Sequence, residues 1–354
     1  MTKYIIRRTI QAIPLLIFIS IFIFVLLKAA GDPFAAQALE PGISSDDLAW
    51  RRRAAGLDDP IFIQFLHWYF GDDWYQRDLR DNDIPDSWGE FDGEPDTPGD
   101  RQGILRGDFG ESLRRNQPVT KVIGEFLPNT LILGTAALSV TVIFGVIIGM
   151  FAALRPYTLM DNVITTASFV TFSMPIFLIA LLSVYIFAVK FREWGLPHLP
   201  TGGMYDRRTG DQSIGELLKH LILPTFSLAA IQIAAYSRFI RASMLEAINS
   251  DYIRTARAKG LKRRRIVLLH AFKNASFPLI TLVALDIPIF LSGAVVTETI
   301  FSWPGMGKLF IDSLQNLDPP ILLAFTLFVA VSVVVFQLVA DIIYAWVDPR
   351  VRYA

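Results

Sequence analysis

Few residues in this chain have chemistry to offer, and they are scattered. Pro304-Gly305-Met306-Gly307-Lys308-Leu309 is its nearest approach to a phosphate-binding loop. Such a loop needs G-x-x-x-x-G-K-[ST], whose first glycine frees backbone N–H groups for phosphate and whose hydroxyl holds magnesium. Ser302 stands where that glycine belongs and Leu309 replaces the hydroxyl residue, so no nucleotide site is expected. Asp286 and Asp341 lie in apolar runs and raise the idea of a carboxylate dyad sharing one proton. Asp286 falls near the middle of its run and Asp341 about one helical turn from the end of its own, so their depths do not match. No G-x-G-D pattern accompanies them. His67, His198, His220 and His270 show no ligand spacing and there is no cysteine, which leaves no expected metal site or disulfide. The basic run Lys262–Arg265 could face nucleic acid or anionic lipid, but beside an apolar run it reads as positive-inside retention, with no nucleic acid partner. Asp286 remains, with Gln232, as a candidate lining of a transport path. An ionisable group at that depth costs at least ~2.5–3.5 kcal/mol, so it needs a wet cavity or a polar partner. An interhelix hydrogen bond satisfies the same demand.

The elements that must position these residues are long and apolar. Of 354 residues 53% are hydrophobic, and they are clumped rather than periodic. Six runs reach the roughly 17–25 residues a bilayer crossing needs: 9–30, 129–154, 162–190, 221–240, 277–297 and 321–347. An all-α integral membrane protein with six transmembrane helices follows. With the N-terminus inside, the cytoplasmic pieces carry 16 Lys/Arg against four acids, and the outer pieces 15 against 27. The inner basics crowd the membrane edge while the outer ones are diluted in long loops, so both termini are placed in the cytoplasm. The first run is too long for a cleaved signal and reads as an anchor.

The chain divides into an N-terminal region, 1–128, with a large extracytoplasmic loop after helix 1, and a five-helix portion, 129–350. In that loop 57–71 is patterned as an amphipathic helix with Ile61, Phe62, Phe65, Leu66 and Tyr69 on its apolar stripe. The insertion 72–100 holds eleven acids and two arginines among clustered Gly and Pro, and reads as irregular loop. A short helix is expected over 118–127, and a kink at Ser173-Met174-Pro175.

Between the fourth and fifth runs, 244–276 forms a cytoplasmic knob. Asn249-Ser250-Asp251 reads as a break and an N-cap, Tyr252–Lys259 as a short helix, Gly260 as a left-handed stop, and Lys262–Phe272 as a second helix. Small residues at the corner suit close seating against another protein.

The knob also carries a resemblance. Tyr252-Ile253-Arg254-Thr255-Ala256-Arg257-Ala258-Lys259-Gly260-Leu261, followed by His270-Ala271-Phe272-Lys273-Asn274-Ala275, resembles the cytoplasmic loop of ABC-importer permeases of the dipeptide/oligopeptide/nickel family. The likeness continues in Tyr4–Arg8, Gly31-Asp32-Pro33, Gly107–Gly110, Leu127–Thr130, Thr299–Gly305 and Asp348–Tyr353. The wider superfamily reads E-A-A-x-x-x-G here; aligned on Gly260 the glutamate falls on Arg254, so no ion pair of that glutamate carries over. The insertion 72–100 also looks longer than in the family. The resemblance implies a type I ABC importer permease fold, the first permease of a paired heterodimer, and no catalytic residues of its own. It implies a paralogous permease, two ATPase subunits that bind ATP and magnesium, and an extracytoplasmic substrate-binding protein as partners. It also implies residence among the lipids of a bacterial or archaeal inner membrane. Tyr252, Thr255, Ala256, Ala258, Gly260 and Leu261 become the ATPase-docking residues. Peptide is the expected cargo, with nickel or another small solute as the alternative; an autonomous secondary transporter or channel is the more distant one.

Overall fold

The computed structural model describes residues 2–29, 31, 34, 52, 57, 59–72, 76–77, 86–87, 102–206, 210–291 and 293–347. The motifs at Asp32-Pro33 and 348–353 and most of the acidic insertion lie outside them. The described chain is helical: α1 Thr2–Ala29, α2 Ile61–Phe70, α3 Val119–Leu154, α4 Leu159–Ser173, α5 Ile176–Glu193, α6 Ile214–Ile248, α7 Asp251–Ala258, α8 Arg263–Ala275, α9 Phe277–Leu291, α10 Val295–Ile300, α11 Met306–Gln315 and α12 Pro319–Val347. Within the insertion, β1 Gln76–Arg77 and β2 Asp86–Ser87 form a two-residue antiparallel ladder.

Among the described residues, four helices are long and apolar enough to cross a membrane: Ile6–Ala29, Val119–Leu154, Ile214–Ile248 and Pro319–Ile343. Two bent pairs bring the number to six if each is one span. The first pair carries the kink expected within the run 162–190, and it is sharp. Ser173-Met174-Pro175 turns the chain by 102° between α4 and α5. Pro175 caps α5 at ψ 139°, in extended backbone, so the helix stops and restarts rather than bending smoothly. The second pair, α8 with α9, bends by 52°. Two expectations change. The short helix at 118–127 is the start of α3, which runs 36 residues with Pro128 inside it. α6 begins at Ile214, capped by Ser213, whose Oγ accepts from Glu216 N–H at 3.3 Å.

The contacts divide the chain into two compact units, 9–125 with 310–331, and 1–8 with 126–309 and 332–354. In the first, α2 packs on α1 through Phe24, Phe65 and Trp68, together with Leu323. Phe65 and Tyr69 of the expected apolar stripe pack in this cluster beside the buried Trp68, while Ile61 and Phe62 at its start are exposed. The aromatic pair Phe65 and Trp68 finds a ring partner in Phe24, and this decides the face. Gly107–Ser112 folds as a turn in which Asp108 accepts from the N–H groups of Gly110 and Gln102. Ser112 Oγ and Leu113 N–H then donate to Asp318.

The second unit is built around α6. Gly145 and Gly149 of α3 form a G-x-x-x-G pair facing it; a Cβ on Gly149 would stand 2.6 Å from the Ser237 carbonyl oxygen. Glycine there lets two backbones approach within van der Waals contact, the usual basis of close helix pairing in lipid. Ser168 of α4 meets Ser237, and Ser183 of α5 meets Ser227, each at 3.3 Å.

Candidate functional site

The knob is assembled on the end of α6. Ile240, Met244, Ile253 and Ala271 are fully buried together with Ala256, Ile266 and Ala275, and Ala153 of α3 closes the cluster. Asn249 ends α6 and Ser250 begins α7, as expected; the Ser250 hydroxyl donates back to the Ala247 carbonyl rather than capping α7. Gly260, at φ 73°, ends α7 in a full Schellman arrangement: its N–H reaches Arg257 O and the Leu261 N–H reaches Ala256 O. Nothing lies within 4 Å of a Cβ at Gly260, so the residue serves the left-handed backbone and not a tight space. α8 contains a π-helical stretch, Ile266–Phe272, where a plain helix was expected.

This geometry sorts the predicted docking residues. Tyr252, Thr255, Ala258 and Gly260 are exposed on one corner, and Leu261 is half-buried beside them. Ala256 is buried in the knob's interior, where a small side chain lets α7 lie on α6 and α8. A groove of about 780 Å³ runs beneath, lined by Tyr157, Ile248, Ile253, Arg257, Leu261 and Val267 among others.

An ion pair anchors the knob's base. Arg241 Nε and Nη2 grip Asp161 at 2.6 and 2.7 Å, and the Tyr157 N–H adds a bond at 2.8 Å. Asp161 is 2% exposed, so this pair ties the start of α4 to the end of α6. Arg238, one turn earlier, stacks over Phe169 and Phe172 of α4 at 4.8 and 4.5 Å. The partners of both arginines lie some seventy to eighty positions away, and no local pattern announces them.

At the far end of α6 the rejected phosphate loop has an internal use. The turn 304–308 wraps around the fully buried Glu298. Lys308 N–H donates to Oε2 at 3.0 Å and Thr130 Oγ1 to Oε1 at 2.9 Å; the Met306 N–H in turn donates to Thr130 at 2.7 Å. A backbone nest of this kind suits an anion, and here the chain supplies its own carboxylate. Burial pushes the Glu298 carboxyl above the usual range, against the pull of these donors. A Cβ on Gly305 would fall 2.5 Å from that carboxylate, which explains a glycine at an ordinary backbone angle. Trp303 Nε1 donates to Asn129 O and Asn129 Nδ2 to Pro304 O, completing the clamp on α3. Beside it opens a cavity of about 1580 Å³ that includes His198, Asp206, Glu216, Lys219 and Ser302 in its wall. His220 holds the loop there, its Nδ1 lying 3.0 Å from Gly202 O.

Between these ends sits Asp286 of α9. Tyr236 Oη donates to its Oδ2 at 2.6 Å and Gln232 Nε2 to the same oxygen at 3.2 Å. The interhelix bond weighed from the sequence is present, and Tyr236 was not foreseen as part of it. Asp341 lies 3.5 Å from Arg8 Nε, both about a third exposed.

The model of the family described as binding-protein-dependent transport system inner membrane component matches residues 145–353, and its N-terminal companion matches 1–79. This chain belongs to that family. The chain is 39% identical to the oligopeptide transport system permease protein AppB of Bacillus subtilis, with both chains wholly covered. It is 33% identical to the dipeptide transport system permease protein DppB of Escherichia coli K12, covering 100% of this chain and 99% of the other. Among solved structures, the MetNI methionine ABC transporter in an inward-facing form shares the fold at 13% identity. Its TM-score is 0.51, with 66% of this chain and 99% of that chain covered. The knob, the Glu298 turn and Asp286 all lie within the matched residues 145–353. The likeness to MetNI is a likeness of fold alone, and it is consistent with a type I permease.

Proposed function

We propose that this chain is the peptide-conducting permease subunit of an ATP-driven importer, paired with a paralogous permease. Two ATPase subunits supply the nucleotide chemistry, and an extracytoplasmic binding protein delivers the cargo. The observation that carries the peptide assignment is full-length identity to oligopeptide and dipeptide permeases. The geometry supports a mechanical role for the knob. α6 is 35 residues long, about 50 Å at helical rise, and it joins the knob to the cavity beside Glu298. The corner formed by Tyr252, Thr255, Ala258, Gly260 and Leu261 seats in an ATPase groove, with Ala256 holding the corner's shape from within. Closure of the ATPases pushes the knob, and the Arg241–Asp161 pair makes α4 move with α6. The membrane helices then rock between two states. The knob and both termini face the cytoplasm, and Asp286 and Gln232 line the path.

The test is reconstitution of all subunits in proteoliposomes. ATP-dependent accumulation of a tripeptide delivered by the binding protein is expected. Accumulation of nickel ion instead would overturn the peptide assignment. Uptake by this chain without ATPase subunits would overturn the importer mechanism in favour of an autonomous transporter.

A further inference from the structure

Resting on the peptide reading, we propose that Asp286 binds the positively charged amino terminus of the peptide as it crosses, with Tyr236 and Gln232 as its positioning residues. Three observations combine. First, both donors converge on one oxygen, Oδ2, and among the described residues nothing donates to Oδ1. Two neutral donors fix the carboxylate's orientation and leave half of its acceptor capacity open. Second, the residue is only half-buried, so Oδ1 is not sealed inside the packing. An open carboxylate oxygen in an apolar helix needs water or a cation, and acyl chains supply neither.

Third, the treatment of Asp286 differs from that of the other two aspartates described in the second unit's long helices. Asp161 is gripped by Arg241, and Asp341 stands beside Arg8. Asp286 has no cationic partner among the described residues, and α9 itself contains no Lys, Arg or His. The nearby arginines of α6 are committed elsewhere: Arg241 to Asp161, and Arg238 to the rings of Phe169 and Phe172. A fixed negative charge whose counter-cation is not built in suits a cation that arrives and leaves. In a free peptide cargo the positively charged group common to every member, whatever its side chains, is the terminal ammonium. One oriented acceptor recognises it without reading sequence. The same openness keeps the contact exchangeable, as conduction through a site requires.

The experiment compares trialanine with N-acetyl-trialanine, each loaded to saturation on the binding protein, in proteoliposomes holding the full assembly. Wild type is expected to import the free peptide about tenfold or more faster, the scale of a charge-assisted hydrogen bond. Asp286→Asn is expected to lower free-peptide uptake to the acetylated level, and Asp286→Glu to restore the difference. Tyr236→Phe, which frees the carboxylate from its orienting donor, should reduce the preference without abolishing it. A preference unchanged in Asp286→Asn, or absent in wild type, overturns the proposal. So does loss of the paralogous permease on co-purification of Asp286→Asn, which would make Asp286 a subunit contact. If wild type moves neither peptide, it is the peptide reading that has failed.

Discussion

Removing Arg241 should be among the most damaging single changes at the knob's base. Asp161 is 2% exposed and accepts from two nitrogens of one guanidinium, with Tyr157 N–H as a third donor. Arg241→Ala therefore strands a buried carboxylate with a backbone N–H and, at 3.4 Å, the Thr165 hydroxyl. Breaking a buried pair by deleting one partner costs ~3–5 kcal/mol, against ~0–1 for an exposed pair. Arg241 is 24% exposed and partly hydrated, so the lower end, about 3 kcal/mol, is expected. Arg241→Lys should recover part of this, because a point charge cannot make both bonds at once. The double variant Arg241→Ala with Asp161→Asn should cost less than the sum of its singles, since it leaves no unpaired charge. The assay is reversible unfolding in mixed micelles, read alongside ATP-driven uptake in the full assembly. If each single change costs under about 1 kcal/mol and the two add, the pair is a surface decoration. The claim that it makes α4 move with α6 would then be refuted.

Four further outcomes follow from the same structure. Ala258→Trp places bulk on the knob's exposed corner and should leave the fold intact while abolishing ATP-driven transport; full coupling would sink the docking assignment. Gly260→Ala keeps the space but forces a left-handed alanine at φ 73°, and should cost the knob about 1 kcal/mol, read as faster hydrogen exchange in α7. Gly149→Ala drives a Cβ into the Ser237 carbonyl and should lower the melting temperature, whereas alanine at Gly124, with open space around it, should not. Glu298 binds its proton more tightly folded than unfolded, so its contribution is fully present below the ordinary carboxyl value and is lost as pH rises through the raised one. The stability of wild type relative to Glu298→Gln should accordingly fall from acid to neutral pH; the opposite slope would show that the donors outweigh burial.

Much of the architecture was legible because its signals are local. Runs of apolar residues announce spans by length, Gly260 announces a left-handed stop by lacking a Cβ, and Ser250 sits where a helix starts. A resemblance carried by Tyr252–Leu261 together with motifs spread from Tyr4 to Tyr353 was enough to name the family. Local signals fell short where a neighbour decided the outcome. On α2 the ring surface of Phe24 drew in Trp68, which the stripe did not include, together with Phe65, which it did. The kink expected at Ser173-Met174-Pro175 was local and is present, but its 102° angle, with Met174-Pro175 in extended backbone, was not legible. The G-x-x-x-G pair at 145–149 stood in plain view, yet its meaning depended on which helix faced it.

By itself, then, the sequence determined what each segment can be: apolar lengths, helix ends, the small-residue corner, and the absence of a complete phosphate loop. Only the tertiary structure decided which polar groups meet. It set Arg241 on Asp161, Thr130 and Lys308 N–H on Glu298, and Tyr236 and Gln232 on one oxygen of Asp286. The reason is physical. A buried charge demands a partner but does not specify where in the chain that partner comes from, and helices packed side by side bring together residues 50 to 170 positions apart.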